Sequence, residues 1–378
     1  MASLSETTAG NRVHIAFFGR RNAGKSTLVN ALTGQEIAIV SDVAGTTTDP
    51  VSKAMEILPL GPCLVTDTAG LDDEGPLGEE RVRRSLEVLE TADVAVWVAA
   101  DDDADDAARA RFEAACAARS LPVLFYRRGD SVEGLKRAIS EMRLADAPRP
   151  LVADLVRPGD VVACVCPIDA AAPKGRLILP QQQVVRELLD AGAAALVCQP
   201  ERLAALLGGG GPAPRFVVTD SQAFGAVSQI VPKEIPLTSF SIVFARAKGD
   251  LAAYCAGVEA MARLKDGDAV LVAEGCTHHR QCCDIGTVKL PRWVERHTGR
   301  RLAFDFCSGN AFPGDLSRYA LVIQCGGCML TRRAVQARIA RCRAAGVPIT
   351  NYGLAIAACH GIRVSPETCM VARGTGKC

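Results

Sequence analysis

A chain of 378 residues with 49% hydrophobic and 22% charged side chains is globular rather than disordered, and too long for one ordinary domain. Its 43 basic and 42 acidic residues leave a net charge of +1 without any basic run, which argues against a nucleic-acid partner. No apolar stretch approaches the ~20 residues needed to span a bilayer and the first residues lack a signal-like apolar core, so a soluble, cytoplasmic protein with no membrane partner is expected.

Along the chain, VHIAFFG (13–19) reads as a strand and KSTLVNALTG (25–34) as a helix stopped by Gly34. ILPLGPCLVTDT (57–68) and VAVWVAA (94–100) are again strand-like. A helix (107–120), a strand (121–127) and a helix (132–143) follow, and this β-α alternation predicts a parallel sheet covered on both faces. DAPRP (146–150) is a linker signal. The middle segment repeats the α/β style without a catalytic constellation of its own. The last opens with a helix (251–264) and the strand AVLVAEG (269–275). Three α/β domains are expected, at 1–148, 149–262 and 263–378, with no internal repeat.

Gly19-Arg20-Arg21-Asn22-Ala23-Gly24-Lys25-Ser26 is a G-x-x-x-x-G-K-S loop between a strand and a helix. Glycines let the backbone wrap phosphates, and the free N–H groups and positive end of the helix attract them. Gly19, Arg20, Asn22, Ala23, Gly24, Lys25, Ser26 and Thr27 are therefore candidate nucleotide contacts. Lys25 would reach the β/γ-phosphates and Ser26 would ligate Mg²⁺. Asp67-Thr68-Ala69-Gly70 ends the next strong strand, setting Asp67 beside the metal and the Gly70 amide near the γ-phosphate. Between them Gly45-Thr46-Thr47-Thr48-Asp49 offers Thr46 and Thr47 to close over Mg²⁺. Lys25, Thr47, Asp67 and Gly70 are the expected catalytic set.

The three pieces in this order resemble P-loop GTPases of the translation-factor type, in the branch of the tRNA-modification GTPase MnmE and the ribosome-assembly GTPase Era. That resemblance implies GTP as nucleotide, a K⁺ ion held with the help of Asn22, and slow cation-assisted hydrolysis, since Leu71 stands where Ras-like proteins place a water-orienting Gln. The base-reading N-K-x-D is degenerate: Arg127-Arg128-Gly129-Asp130 leaves only Asp130 to read guanine, and one strand with its loop is missing.

Sixteen cysteines are many where disulfides are rare, and most lie from Cys276 onward, which points to metal or catalysis. Cys276-Thr277-His278-His279 and Cys325-Gly326-Gly327-Cys328 each follow a strand, so both can meet at one end of a sheet. Cys276, Cys325, Cys328 and His278 suit a tetrahedral zinc site, while three thiolates with a weak fourth ligand suit a [4Fe–4S] cluster. Cys282, Cys283 and Cys307 are further candidates; His14, His297 and His360 match no ligand spacing.

CTHH, DIGTVKLPRW (284–293), FPGDLSRYALVIQCGGCML (312–330) and VPITNYGLAIA (347–357), behind this GTPase, resemble the [FeFe]-hydrogenase maturation GTPases, the HydF family. The resemblance implies an α/β dimerisation domain in the middle, a homodimer, and an α/β domain that binds a [4Fe–4S] cluster and carries a diiron precursor. It also implies radical-SAM maturases as suppliers and apo-[FeFe]-hydrogenase as recipient. Gln324 replaces the second His of the family motif, so the fourth ligand is open, His278 included. A tRNA-modification or ribosome-assembly GTPase, or a zinc-stabilised regulatory GTPase, are the competing readings.

Overall fold

Residues 13–18 alternate two sets of apolar side chains, and both sets are buried: Ile15 and Phe17 enter one core, Ala16 and Phe18 another. A strand buried on both faces needs helices on both sides of its sheet. The computed structural model that shows this describes residues 10, 12–34, 50–58, 60–73, 75–99, 107–142, 149–168, 175, 177–275, 285–309 and 311–371. It forms two compact units, Met1–Ala147 and Pro148–Cys378.

The first unit runs β1 (Val13–Phe18), α1 (Lys25–Thr33), β2 (Val51–Ile57), β3 (Gly61–Asp67), α2 (Gly75–Val88), β4 (Val94–Ala99), α3 (Ala107–Ala117), β5 (Val123–Arg127) and α4 (Val132–Glu141). The sheet order is β2-β3-β1-β4-β5, parallel except for the β2–β3 hairpin. Leu28, Val29 and Leu32 of α1 with Leu135 and Ile139 of α4 cover one face. Val82 of α2 with Phe112 and Cys116 of α3 cover the other, where Trp97 and Phe18 stack against Phe112.

One expectation changes here. The single strand expected over 57–68 is a hairpin: β3 starts only at Gly61, whose φ of 90° turns the chain, and β2 precedes it. As an edge strand β2 buries only Ile57 fully, so its sequence VSKAMEI has no apolar run. Helix α2 also lacks one; its buried positions are Gly78, Val82 and Ser85. After β5 the chain enters α4, and no sixth strand joins this sheet among the described residues.

The second unit contains β6 (Val161–Val165), α5 (Leu179–Asp190), β7 (Ala194–Cys198), α6 (Pro200–Gly208), β8 (Phe216–Thr219), α7 (Phe224–Ile230), β9 (Leu237–Ser239), α8 (Phe240–Lys248) and α9 (Leu251–Met261). It continues with β10 (Ala269–Ala273), a π-helical turn (Ile285–Lys289), α10 (Leu290–Thr298), β11 (Ala303–Cys307), β12 (Tyr319–Gln324), α11 (Arg332–Ala344), β13 (Ile349–Asn351) and α12 (Tyr352–Cys359). Two four-stranded parallel sheets result, β7-β6-β8-β9 and β11-β10-β12-β13, and one core joins residues of both, from Val162 to Ile349.

The two sheets share one topology, second-first-third-fourth, a likeness of fold that the sequence does not carry as a repeat. Their corners match bond for bond. Asp160 accepts from the Arg157 amide at 2.9 Å and Asp268 from the Lys265 amide at 2.7 Å. The Gly159 and Gly267 amides donate to Gly192 O and Arg301 O at 2.9 and 2.8 Å. Pro236-Leu237-Thr238-Ser239-Phe240 and Pro348-Ile349-Thr350-Asn351-Tyr352 carry the last strand of each sheet into a helix capped by Ser239 or Asn351. By register, Thr219 corresponds to Gln324 and Asp220 to Cys325.

Burial pushes many thiols up from an ordinary 9.0: Cys63, Cys342 and Cys369 to about 11, Cys116, Cys164 and Cys359 to about 12. Folded values above unfolded ones mean stability that is complete below pH 9 and lost as pH climbs through 11 and 12. The urea midpoint of the metal-free chain is thus expected to hold up to pH 9 and fall steadily above it. A midpoint unchanged at pH 11 would contradict this.

Candidate functional site: a phosphate loop and a cysteine loop

In the first unit β1 hands over to α1 through a turn that only particular residues allow. A side chain at Gly19 would meet Val98 O at 2.5 Å, so the loop lies directly on β4. Asn22 and Gly24 adopt left-handed φ values of 63° and 91°, which Asn and Gly tolerate best. Ala23 is buried under the loop, while Arg20 is half-exposed and Thr27 exposed on the first turn of α1.

Lys25 is 7% exposed, and its Nζ donates to Gly19 O at 3.3 Å and Arg20 O at 2.7 Å. Burial lowers its pKa, against the pull of Asp67, Asp72 and Asp73. Ser26 Oγ donates to Asp67 Oδ2 at 2.5 Å. Asp67 Oδ1 is buried without a partner, and burial raises the Asp67 pKa against the Ser26 hydrogen bond and the Lys25 charge. A serine hydroxyl beside an orphaned carboxylate oxygen is the donor set that a hard divalent cation fits.

Gly70 approaches the loop so closely that a side chain would meet the Arg21 amide at 2.7 Å. The Leu71 amide donates to Gly19 O at 3.2 Å, and Asp72 accepts from the Arg21 amide at 2.6 Å and pairs with Arg20 at 3.5 Å. The structure thus brings Gly19, Arg20, Lys25, Ser26, Asp67 and Gly70 together and adds Asp72, which motif reading passed over. Asp130 stays apart in the β5–α4 turn, where its Oδ2 accepts from the Arg127 amide at 2.7 Å. Thr46 and Thr47 lie outside the described residues, as do Cys276, His278, Cys282 and Cys283.

In the second unit β12 ends at Gln324 and opens into Cys325-Gly326-Gly327-Cys328. Cys325 Sγ accepts from the Gly275 amide at 3.0 Å and the Gly327 amide at 3.4 Å. Gly275 is the residue immediately before Cys276. Amides aimed at a sulfur favour its thiolate, and they oppose the burial that raises the Cys325 pKa. Burial pushes the Cys328 thiol up to about 11.

The loop's carbonyls face the other way. Lys248 Nζ, at the end of α8, donates to Gly327 O and Cys328 O at 3.2 Å and to Leu330 O at 2.7 Å. Burial lowers the Lys248 pKa to about 8, against the pull of Cys328 and Cys325. Asn351 Nδ2 donates to Cys325 O at 3.4 Å and to Ser241 Oγ at 3.2 Å, which gives the TNYG turn a role in holding this loop.

Gln324 is 1% exposed; its Nε2 donates to Tyr254 OH at 3.2 Å and its Oε1 has no partner. Arg338 of α11, 5% exposed, donates through Nη2 to Gly309 O, stacks over Phe312, and leaves Nη1 buried without a partner. Amides on sulfur, two buried cations and orphaned polar atoms fit a thiolate-bound metal centre, not a plain apolar core. Among the described residues no three metal-ligating side chains converge, Cys307 included. His360 packs against Trp293, ring centres 6.2 Å apart.

Comparison with known proteins gives three domain matches. A 50S ribosome-binding GTPase model matches residues 14–125, the hydrogen maturase F dimerization domain 151–249, and the hydrogen maturase F tetramerization domain 252–364. The tRNA modification GTPase MnmE of Methylobacterium sp. strain 4-46 is 43% identical over 104 residues, 26% of this chain and 24% of its own. MnmE of Zymomonas mobilis is 43% identical over 96 residues, 25% of this chain and 21% of its own. The chain therefore spans about a quarter of the length of these curated relatives. A solved Era structure from Aquifex aeolicus aligns at 16% identity over 78% of this chain and 92% of its own, with a TM-score of 0.27. Among the described residues no helix is long and apolar enough to cross a membrane. The two maturase models together span more than half of the sequence, and the chain belongs to the hydrogen maturase F family of GTPases.

Proposed function

We propose that this protein is a GTP-hydrolysing scaffold and carrier. It holds a [4Fe–4S] cluster and a diiron precursor, received from radical-SAM maturases, and delivers the precursor to apo-[FeFe]-hydrogenase. The observation that carries the reading is the cysteine loop: four of its backbone carbonyls are tied by Lys248 and Asn351 while two amides point at Cys325 Sγ. The two amides favour thiolate at Cys325 against the burial that raises both thiols, and thiolate is what a metal centre needs.

Cys276, Cys325 and Cys328 are the proposed cluster ligands, with His278 as a candidate fourth. Gln324, locked against Tyr254, is a poor substitute for the family's histidine. In the GTPase domain Lys25 would neutralise the β/γ-phosphates, Ser26 and Thr47 would ligate Mg²⁺, and Asp67 would orient its water shell. The Gly70 amide would report the γ-phosphate, and Asn22 would help to seat K⁺. Loops ordered by γ-phosphate and released on hydrolysis make a switch, and the dimerization-domain match supports a homodimer as part of this reading. Localisation in the cytoplasm belongs to the same proposal.

Anaerobic reconstitution tests this directly. The chain is expected to turn brown, absorb broadly near ~400 nm and take up about four irons. Cys325→Ser and Cys328→Ser are each expected to lose most of that iron. A colourless chain with stoichiometric zinc would overturn the reading. The MnmE matches favour a tRNA-linked role only for the GTPase domain, since they end there; tight, salt-sensitive RNA binding would revive it.

A further inference from the structure

Asp72 and Asp73 follow Gly70-Leu71, and the structure points the two carboxylates at different partners. Asp72 turns to the phosphate loop: its Oδ1 accepts from the Arg21 amide at 2.6 Å, and its Oδ2 faces Arg20 Nε at 3.5 Å. Asp73 instead pairs with Arg81 of α2 at 3.6 Å, both side chains being mostly buried. Helix α2 packs so tightly there that a side chain at Gly78 would meet Asp73 C at 2.7 Å. Gly70 marks where on the loop Asp72 lands. A methyl group on Gly70 would sit 2.7 Å from the Arg21 amide and 2.8 Å from Asp72 Oδ1, so all three share one spot. With Gly70 at the γ-phosphate end of the loop, as the nucleotide reading has it, a carboxylate already holds an amide there. Carboxylate and phosphate oxygens ask the same of an N–H donor, and side by side they repel.

We propose that Asp72 is a positioning residue that reads the length of the bound nucleotide: its carboxylate stays on the Arg21 amide beside a diphosphate and is driven off by a γ-phosphate. The inference rests on the reading of the first unit as a GTP-hydrolysing domain and is independent of the cluster site. Two effects act with one sign. A γ-phosphate brings negative charge up to Asp72, and it offers the Arg21 N–H and the Arg20 guanidinium a more highly charged acceptor. A diphosphate makes neither demand. Asp72 therefore weakens triphosphate binding more than diphosphate binding, and the contact it makes belongs to one nucleotide state. The Leu71 amide, on Gly19 O at 3.2 Å, pins the segment just before it, so the movement starts at Asp72. Asp73 carries it onward: one peptide bond from Asp72 and paired with Arg81, it pulls on α2 when Asp72 leaves the loop.

The test uses the full chain with Mg²⁺ and two probes, GDP and a non-hydrolysable GTP analogue, each competing with a fluorescent guanine nucleotide. Asp72→Asn keeps the shape of the side chain and removes its charge. It is expected to raise analogue affinity relative to GDP affinity by about 10-fold, inside the roughly 5–150-fold range of coupled binding equilibria. Asp72→Ala, which also removes the acceptor, is expected to shift the ratio at least as far. The gap between wild type and Asp72→Asn is expected to shrink as salt rises, because the charges meet at a partly exposed site; a packing defect would not follow salt. Hydrogen exchange reads the other end: with GDP bound, the Gly75–Val88 amides of Asp72→Asn are expected to exchange as those of wild type do with the analogue. A folded Asp72→Asn chain with the wild-type affinity ratio at low salt would overturn the proposal alone. Slower hydrolysis at an unchanged ratio would do the same, making Asp72 a water-positioning group instead. A wild-type chain that binds neither nucleotide would overturn the nucleotide reading and this inference with it.

Discussion

Lys25→Ala is expected to lower GTP turnover by roughly 10²–10³-fold, the range for losing one preorganised group that stabilises transition-state charge. The magnitude follows from where the ammonium sits. It is buried in the loop, held by Gly19 O and Arg20 O, and its burial, which lowers the pKa, is opposed by Asp67, Asp72 and Asp73. Nothing else described in the loop supplies a cation at that point; the Arg20 side chain is turned to Asp72. Phosphate release measured with and without K⁺ checks it, and turnover within about threefold of wild type would sink the assignment. If the variant fails to hydrolyse GTP yet still supports hydrogenase activation in cells, the switch part of the proposal fails while the carrier part stands.

Gly257→Ala is expected to destabilise the second unit by about 3 kcal/mol or more, at or beyond the upper end of what overpacking usually costs. Gly257 lies where α9 crosses β13. A methyl group there would sit 2.0 Å from Ile349 O, 2.5 Å from Ile349 C and 2.9 Å from the Thr350 amide. These are backbone atoms of a strand already bonded on one side to β12, and Thr350 Oγ1 donates to Tyr254 O of the same helix at 2.9 Å. Neither element can step aside. Gly314→Ala is the control, since nothing lies within 4 Å of the added carbon and no change beyond about 0.5 kcal/mol is expected. Urea denaturation at constant slope decides it; a loss under about 1 kcal/mol at Gly257 would show that α9 can move after all.

What was readable in the sequence was whatever chemistry the chain keeps contiguous. The G-x-x-x-x-G-K-S loop sits between an apolar run and an amphipathic one, so both its residues and its place on β1 and α1 were legible. The strands β1 and β4 were legible because burial on both faces demands uninterrupted apolar residues. Edge strand β2 and charged helix α2 were not, because each buries so little that no period emerges. The cysteine pair was visible as a spacing, and the contact of Gly327 with Cys325 Sγ was foreseeable from the two glycines.

Its support was invisible for a different reason. Lys248 ends a helix of the middle segment, where a basic residue in the last turn is ordinary helix chemistry. Arg338 lies in an arginine-rich helix that reads as solvent-facing, yet it is buried along with Ala334, Val335 and Ile339. A buried cation has no sequence signature of its own; only the packing of distant elements reveals it. The repeated sheet escaped notice likewise, because its equivalence lives in backbone corners while the side chains at the strand ends have diverged, Thr219 against Gln324 and Asp220 against Cys325.

A chain that writes the same sheet twice also offers each strand two addresses. The last strands, Leu237–Ser239 and Ile349–Asn351, are three residues long, parallel, and flanked by the same Pro and aromatic positions. During refolding either one could match the vacant edge of either half-built sheet, and each parallel pairing closes only after a crossover, 20 residues from Val217 to Leu237 and 27 from Val322 to Ile349. Exchange of the two, within one chain or between neighbours, is the characteristic mistake of repeated architectures. The different helices that follow them are what enforces the correct choice: Phe240 and Tyr352 must each seat in their own core before the pairing is final. Refolding yield should therefore depend more on these two aromatic anchors than on the strands they follow.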